Sequence, residues 1–179
     1  MIKIKNVMSD GCYELQPTVN RDGRGIFAKT FHETWFTDLG LRSDFVEQYY
    51  SFSGRRVIRG MHYQSPPMDH AKLIYCVQGR VLDVALDLRR KSTTYLQYFV
   101  NEMSADLANM VYLESGFAHG FYVLSDSAVL IYNVTSVFSP EHDQGIRWNS
   151  FGMRWPESDP VLSVRDANLP LLADISPFR

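Results

Sequence analysis

The amino-acid sequence predicts an all-β sandwich or barrel with short flanking helices. Three observations carry that prediction: short runs that alternate every second residue, turn formers between them, and little apolar periodicity near 3.6. Alternation is plainest from Val81 to Leu88. There Leu82, Val84, Leu86 and Leu88 share one face, and Val81, Asp83, Ala85 and Asp87 share the other. Comparable runs, in chain order, are Phe45 to Phe52, Lys72 to Val77, Tyr95 to Val100, Met110 to Leu113, Phe121 to Leu124 and Ala128 to Val137. Gln78-Gly79, Ser115-Gly116 and Ser139-Pro140 supply turns between them. Thr34 to Leu41, carrying Gly40 at its end, is the best short helix, and Asp166 to Asp174 reads as a helical turn interrupted by Pro170.

At 179 residues the chain is one domain's worth, long enough to bury a substantial core. Eighteen Lys and Arg against twenty Asp and Glu give a formal charge of -2, which argues against general nucleic-acid or anionic-membrane binding. No stretch approaches the roughly 18 apolar residues of a spanning helix, and the opening Met1 to Val7 has no signal-peptide apolar region, so a cytoplasmic location is expected. Cys12 and Cys76 stand far apart and outside any CxxC spacing, which supports neither a disulfide framework nor a zinc ribbon.

Polar side chains within β alternation are informative, because the inward face of a small barrel is apolar unless it lines a pocket. Lys72 is in phase with Ile74 and Cys76, Tyr132 with Leu130 and Val134, and Asp83 with Val81 and Ala85. Two histidines, His62 in Arg59-Gly60-Met61-His62 and His119 in Gly116-Phe117-Ala118-His119-Gly120, sit beside glycines that let backbone approach closely. The five histidines form no His-x-His pair and no clustered ligand spacing, so no metal site is expected.

Taken over nearly its whole length, the sequence resembles the nucleotide-sugar 3,5-epimerases of the cupin superfamily. The resemblance runs through Asp22-Gly23-Arg24-Gly25-Ile26-Phe27, Val57 to Gln64 with Pro66-Pro67, Lys72-Leu73 and Gly79 to Arg89. It continues through Gly116 to Phe121, Tyr132, Ser139-Pro140-Glu141, Gly145 to Trp148, Trp155-Pro156 and Ser163 to Asp166. It implies a cupin jelly-roll barrel without metal or other cofactor. It also implies a homodimer in which an N-terminal segment, about residues 1–30, is exchanged with the partner's site. The implied chemistry is proton removal beside a sugar ketone and return of a proton on the opposite ring face through an enolate. In that reading His62 is the base, oriented by Asp166; Tyr132 is the opposing acid, and Lys72 stabilises the enolate. His119, backed by Asp83, lines the sugar pocket. Arg24 and Arg59 meet the diphosphate, where guanidinium forks suit phosphate oxygens. Phe27 and Phe138 offer faces for the base. A sugar-binding cupin without turnover and a metal-dependent cupin oxygenase are the alternatives.

The nucleotide end departs from the family pattern. Where Phe-x-Glu is usual the chain has Phe27-Ala28-Lys29, and where Gln is usual it has Glu47. Thymine presents an N3–H donor and an O4 acceptor, whereas cytosine presents an N3 acceptor and an amino donor. Lys29 can donate and Glu47 can accept, so the sequence favours a CDP-linked over a dTDP-linked sugar.

Overall fold

The structure is a computed structural model and describes residues 1–175; the ends of the chain at 176–179 lie outside the described residues. Two antiparallel sheets face each other in a jelly roll. The first contains six strands: β1 (Ile2–Ser9), β2 (Cys12–Pro17), β5 (Glu47–Gly54), β7 (Lys72–Gln78), β10 (Met110–Leu113) and β12 (Ser127–Val134), in the order β1-β2-β10-β7-β12-β5. The second orders β13 (Asp143–Gly145), β6 (Ile58–Gln64), β11 (Phe117–Val123), β8 (Arg80–Asp87) and β9 (Tyr98–Ser104) as β13-β6-β11-β8-β9. A separate hairpin pairs β3 (Val19–Asp22) with β4 (Gly25–Ala28). Among the described residues no helix is long and apolar enough to cross a membrane.

Both sheets are covered on both faces. Between them lie Val81, Ala85 and Phe121 from one sheet and Ile74, Cys76, Val111 and Leu130 from the other. Helix α1 (Glu33–Asp38) covers the outer face of the six-stranded sheet, bringing Phe36 and Leu41 onto Leu15, Leu73, Met110 and Tyr112. The segment after β13 covers the other sheet, where Ile146, Phe151 and Trp155 meet Met61, Val84, Leu86 and Leu88. Double coverage is why β8 is apolar on its outward face and carries only Asp83 and Asp87 as charges in its interior.

The observed elements refine several expectations. Helix α1 is shorter than Thr34 to Leu41 because Gly40, at φ +72°, ends it: Gly40 N–H bonds Thr37 O and Leu41 N–H bonds Phe36 O, while Leu41 packs back on Phe36. The run expected at Tyr95 begins only at Tyr98, since Leu96 takes φ 62° in a turn tied to Asp87. β11 starts at Phe117 rather than Phe121, so His119 lies inside a strand. β12 ends at Val134, and residues 135–137 leave the sheet. Helix α2 (Val164–Ala167) and a 3-10 turn at Leu172–Asp174 flank Pro170 as separate pieces. β1 and β2 were not anticipated: register shifts at Ile4/Asn6 and Val7/Ser9 break the alternation of β1, and β2 buries the charged Glu14 beside Leu15. Nor was β6, whose inward face is polar at His62 and Gln64.

The glycines beside the two histidines meet each other. A Cβ on Gly60, which has φ +127°, would stand 2.5 Å from Gly120 Cα; one on Gly120 would stand 2.9 Å from Arg59 O. This contact lets β6 and β11 close up with His62 directly opposite His119 in the register. Gly120→Ala is therefore expected to cost about 1–3 kcal/mol by overpacking, whereas Gly23→Ala, with open space around it, changes stability little. Thermal or urea unfolding of the two variants measures the contrast.

Candidate active site

One end of the barrel opens in a cleft made of two joined cavities of about 280 and 250 Å³. Tyr49, His62 and Lys72 line both. Glu47, Gln64, His70, Ser136, Phe138, Asp143 and Arg165 line the first, and Arg59, His119, Phe121 and Tyr132 the second.

His62 reaches the cleft from β6, and its Nε2 lies 2.7 Å from Asp166 Oδ1. Asp166 is held by its local sequence: Ser163 caps α2, accepting from the Asp166 N–H at 3.0 Å. Its second oxygen accepts from Gly60 N–H. Burial works against the charge on Asp166, but the His62 hydrogen bond and charge, the Gly60 N–H and Arg165 together hold its pKa below the usual carboxylate value. An ionised carboxylate only accepts, so in the neutral imidazole of His62 it is Nε2 that carries the proton and Nδ1 that keeps the lone pair.

Lys72 and Tyr132 come from the facing sheet. Lys72 is buried, its Nζ donating to His62 O at 3.0 Å. Burial lowers its pKa to about 8, with Asp143 and Asp83 pulling the other way. Tyr132 is buried too, and burial pushes its hydroxyl well above the ordinary phenol range, so it stays protonated at neutral pH. Tyr49 stacks on it at 4.8 Å and 14°. His119 Nε2 meets Asp83 Oδ2 at 2.6 Å, with both side chains buried, and the His119 ring stands edge-on to Tyr132 at 6.0 Å. Arg59 lines the rim, its guanidinium held by Ser53 Oγ and Phe52 O.

Seven of the residues expected at the site, His62, Lys72, Tyr132, His119, Asp83, Asp166 and Arg59, are thus gathered in or beside the second cavity. Phe138 lies in the first cavity, more than half exposed. Arg24, Phe27 and Lys29 are not brought to this chain's own cleft. Arg24 and Phe27 stand out on the β3–β4 hairpin, Arg24 paired with Asp22 at 2.6 Å, and Lys29 lies over the Trp35 ring. Sequence reading missed Tyr49, Gln64, His70, Asp143 and Arg165 as lining residues. Gln64 and His62 are two apart on one strand, so alternation alone could have paired them. Among the described residues, no three His, Cys, Asp or Glu side chains converge as a metal site would require.

A family model described as dTDP-4-dehydrorhamnose 3,5-epimerase matches residues 7–174. The chain belongs to the dTDP-4-dehydrorhamnose 3,5-epimerase family. A family member from Salmonella typhimurium is 38% identical over 176 residues, 96% of each chain. The solved dTDP-4-dehydrorhamnose 3,5-epimerase of Bacillus anthracis, with TDP and PPi bound, superposes with a TM-score of 0.93 at 34% identity, covering 96% of this chain and 100% of that one. The Legionella pneumophila dTDP-6-deoxy-D-glucose-3,5-epimerase, in complex with dTDP-4-keto-L-rhamnose, gives 0.93 at 33% identity over 98% and 95%. Membership in this epimerase family makes the chain an isomerase rather than a turnover-free sugar binder or an oxygenase.

The same relatives correct the expectation of a CDP-linked sugar, since they are named for dTDP-linked ones. The structure supplies a physical reason. Glu47, expected to accept from a cytosine amino group, instead accepts from the Phe138 backbone N–H at 2.8 Å, and Lys29 is engaged with Trp35.

The lowered pKa of Asp166 makes its pairing measurable. A carboxylate whose folded pKa lies below the unfolded one adds stability above the ordinary range and loses it as pH falls through the folded value. Asp166→Asn is expected to be less stable than the unsubstituted protein at pH 7, with the gap narrowing below about pH 4. Chemical unfolding across that range checks it; an equal gap at pH 7 and pH 3 contradicts it.

Proposed function

We propose that this chain is an epimerase that inverts C3, C5 or both of a dTDP-linked 4-keto-6-deoxyhexose in deoxysugar biosynthesis. One observation carries the reading: a single cleft receives a carboxylate-backed imidazole from one sheet and a protonated tyrosine with a buried lysine from the sheet facing it. Inversion beside a ketone needs a base and an acid on opposite faces of the sugar ring, and two facing sheets are a direct way to supply them.

In this mechanism Nδ1 of His62 removes the proton alpha to the C4 ketone, and the C–H electron pair moves to the carbonyl oxygen. The Lys72 ammonium, charged below about pH 8, stabilises the resulting enolate where water is excluded. Asp166 balances the imidazolium that forms. Tyr132 delivers its proton to carbon from the other face, and its oxygen is reprotonated from solvent. The buried His119–Asp83 pair bounds the sugar, Arg59 meets the diphosphate, and Phe138 stacks on the base.

His62→Ala is expected to abolish solvent-deuterium exchange into the sugar, whereas Tyr132→Phe loses inverted product by more than it loses exchange. The expected loss is about 10²–10⁴-fold for the missing base. Proton NMR of substrate in deuterated buffer reads both. Near-normal exchange in a folded His62→Ala protein defeats the assignment.

We also assign the β3–β4 hairpin, residues 19–28 of the N-terminal segment expected to exchange, to the cleft of a second copy in a homodimer. The support is that Arg24, Ile26 and Phe27 are exposed on a hairpin that pairs with neither sheet, although their chemistry suits a nucleotide diphosphate. Mixing inactive Arg24→Ala and His62→Ala chains should restore part of the activity through hybrid sites. A monomer by light scattering at assay concentration refutes it.

A further inference from the structure

The segment that carries Phe138 has no sheet to hold it. β12 ends at Val134, and 137–139 belong to no helix or strand. Yet three consecutive residues there have a backbone group bonded to a barrel side chain. Gln64 Nε2 donates to Val137 O at 3.2 Å, Glu47 Oε2 accepts from Phe138 N–H at 2.8 Å, and Gln64 Oε1 accepts from Ser139 N–H at 2.6 Å. A primary amide that takes both the C=O before an aromatic residue and the N–H after it does the work of a neighbouring strand.

The orientation of the Gln64 amide is fixed by its surroundings. Besides Val137 O, its Nε2 faces Met68 O at 2.7 Å, His70 Nδ1 at 3.1 Å and Ser136 Oγ at 3.3 Å. Turning the amide over would set its oxygen against two carbonyls and its NH₂ against an N–H, so one arrangement is strongly preferred. Gln64 is itself buried, and Ser136 Oγ donates in turn to Met68 O at 2.7 Å, which ties the 65–70 loop into the same network. The outcome is an aromatic ring left 58% exposed on a backbone pinned at three successive residues.

We infer that Gln64 and Glu47 are positioning residues that lock the backbone of 137–139 and thereby fix Phe138 as a preformed platform for the nucleotide base. This rests on the reading above that Phe138 stacks on the base. Stacking rewards a ring already held in the right plane, because a mobile ring must lose its freedom on binding. Glu47 then acts through Phe138 and not by reading the base edge.

The test uses dTDP as the calorimetric probe and the intact protein. Phe138→Ala is expected to weaken dTDP by about 5- to 100-fold, the range of base–aromatic stacking. Gln64→Leu should weaken it by about tenfold and Glu47→Ala by about fivefold, while Glu47→Gln, which keeps an acceptor for the Phe138 N–H, restores affinity to within about twofold. The double variant Gln64→Leu/Phe138→Ala should bind no more weakly than Phe138→Ala alone, a result a purely structural role would not give. In turnover assays Glu47→Ala should raise KM by more than it lowers kcat. If Phe138→Ala weakens dTDP but Gln64→Leu and Glu47→Ala bind normally, or if the losses simply add, the inference falls and base stacking stands. If Phe138→Ala binds dTDP normally, the stacking reading falls and takes the inference with it. Should Gln64→Leu fail to fold, the Glu47→Ala and Glu47→Gln pair, on an edge strand, decides alone.

Discussion

Charge buried between two sheets constrains the rest of this structure. A lysine, two carboxylates and two imidazoles lie in or beside a barrel whose other inward residues include Ile74, Val81, Ala85, Val111 and Leu130. Removing such groups from water without partners costs several kcal/mol each. Each therefore has one: Asp166 takes His62 and Gly60, Asp83 takes His119, and Lys72 Nζ takes the carbonyl of His62. These partners come from different sheets and from a C-terminal helical turn, so the polar groups can be satisfied only when both sheets and that turn are in place. Stability and the assembly of the cleft are thus coupled.

That coupling explains details remote from the cleft. The Gly60–Gly120 contact brings β6 and β11 close enough for His62 to sit opposite His119. Ser163 caps a helix of only four residues, too short to persist on its own, and in doing so sets the backbone of the carboxylate that fixes the His62 tautomer. Arg165, next in the same turn, pairs with Asp143 on β13 at 2.8 Å and anchors the turn across the cleft mouth. The apolar cover of Ile146, Phe151 and Trp155 over the outer sheet face directs the chain to where Asp166 is needed.

The two ends of the cleft are built on different principles. Around Lys72 and Tyr132, burial tunes the groups: it lowers Lys72 to about 8 and keeps Tyr132 protonated, so a cation and an acid coexist near neutral pH. Around Phe138 the ring itself is exposed, and order comes from side chains bonded to backbone. A half-exposed surface can hold a ring in place by this means without a sheet behind it.

By itself the sequence determined the all-β class, the runs that became β5 and β7 to β12, and the inward phase of Lys72, Asp83 and Tyr132, because side-chain alternation and turn chemistry are local properties. Its resemblance to a family supplied the remaining site residues. It did not reveal β1, whose bulges break the alternation, β2, which buries Glu14 beside Leu15, the short β3, β4 and β13, or β6, whose inward face is polar because it lines the cleft. It also misread Glu47. Donor and acceptor inventories say what a carboxylate can bind, but not that a backbone N–H 91 residues away already occupies it. The His62–Asp166 pairing, across 104 residues, was likewise invisible to spacing. Only the tertiary structure decided which polar groups meet, since hydrogen bonds form between atoms that are close in space, and in a barrel that proximity is set by how two sheets close rather than by position along the chain.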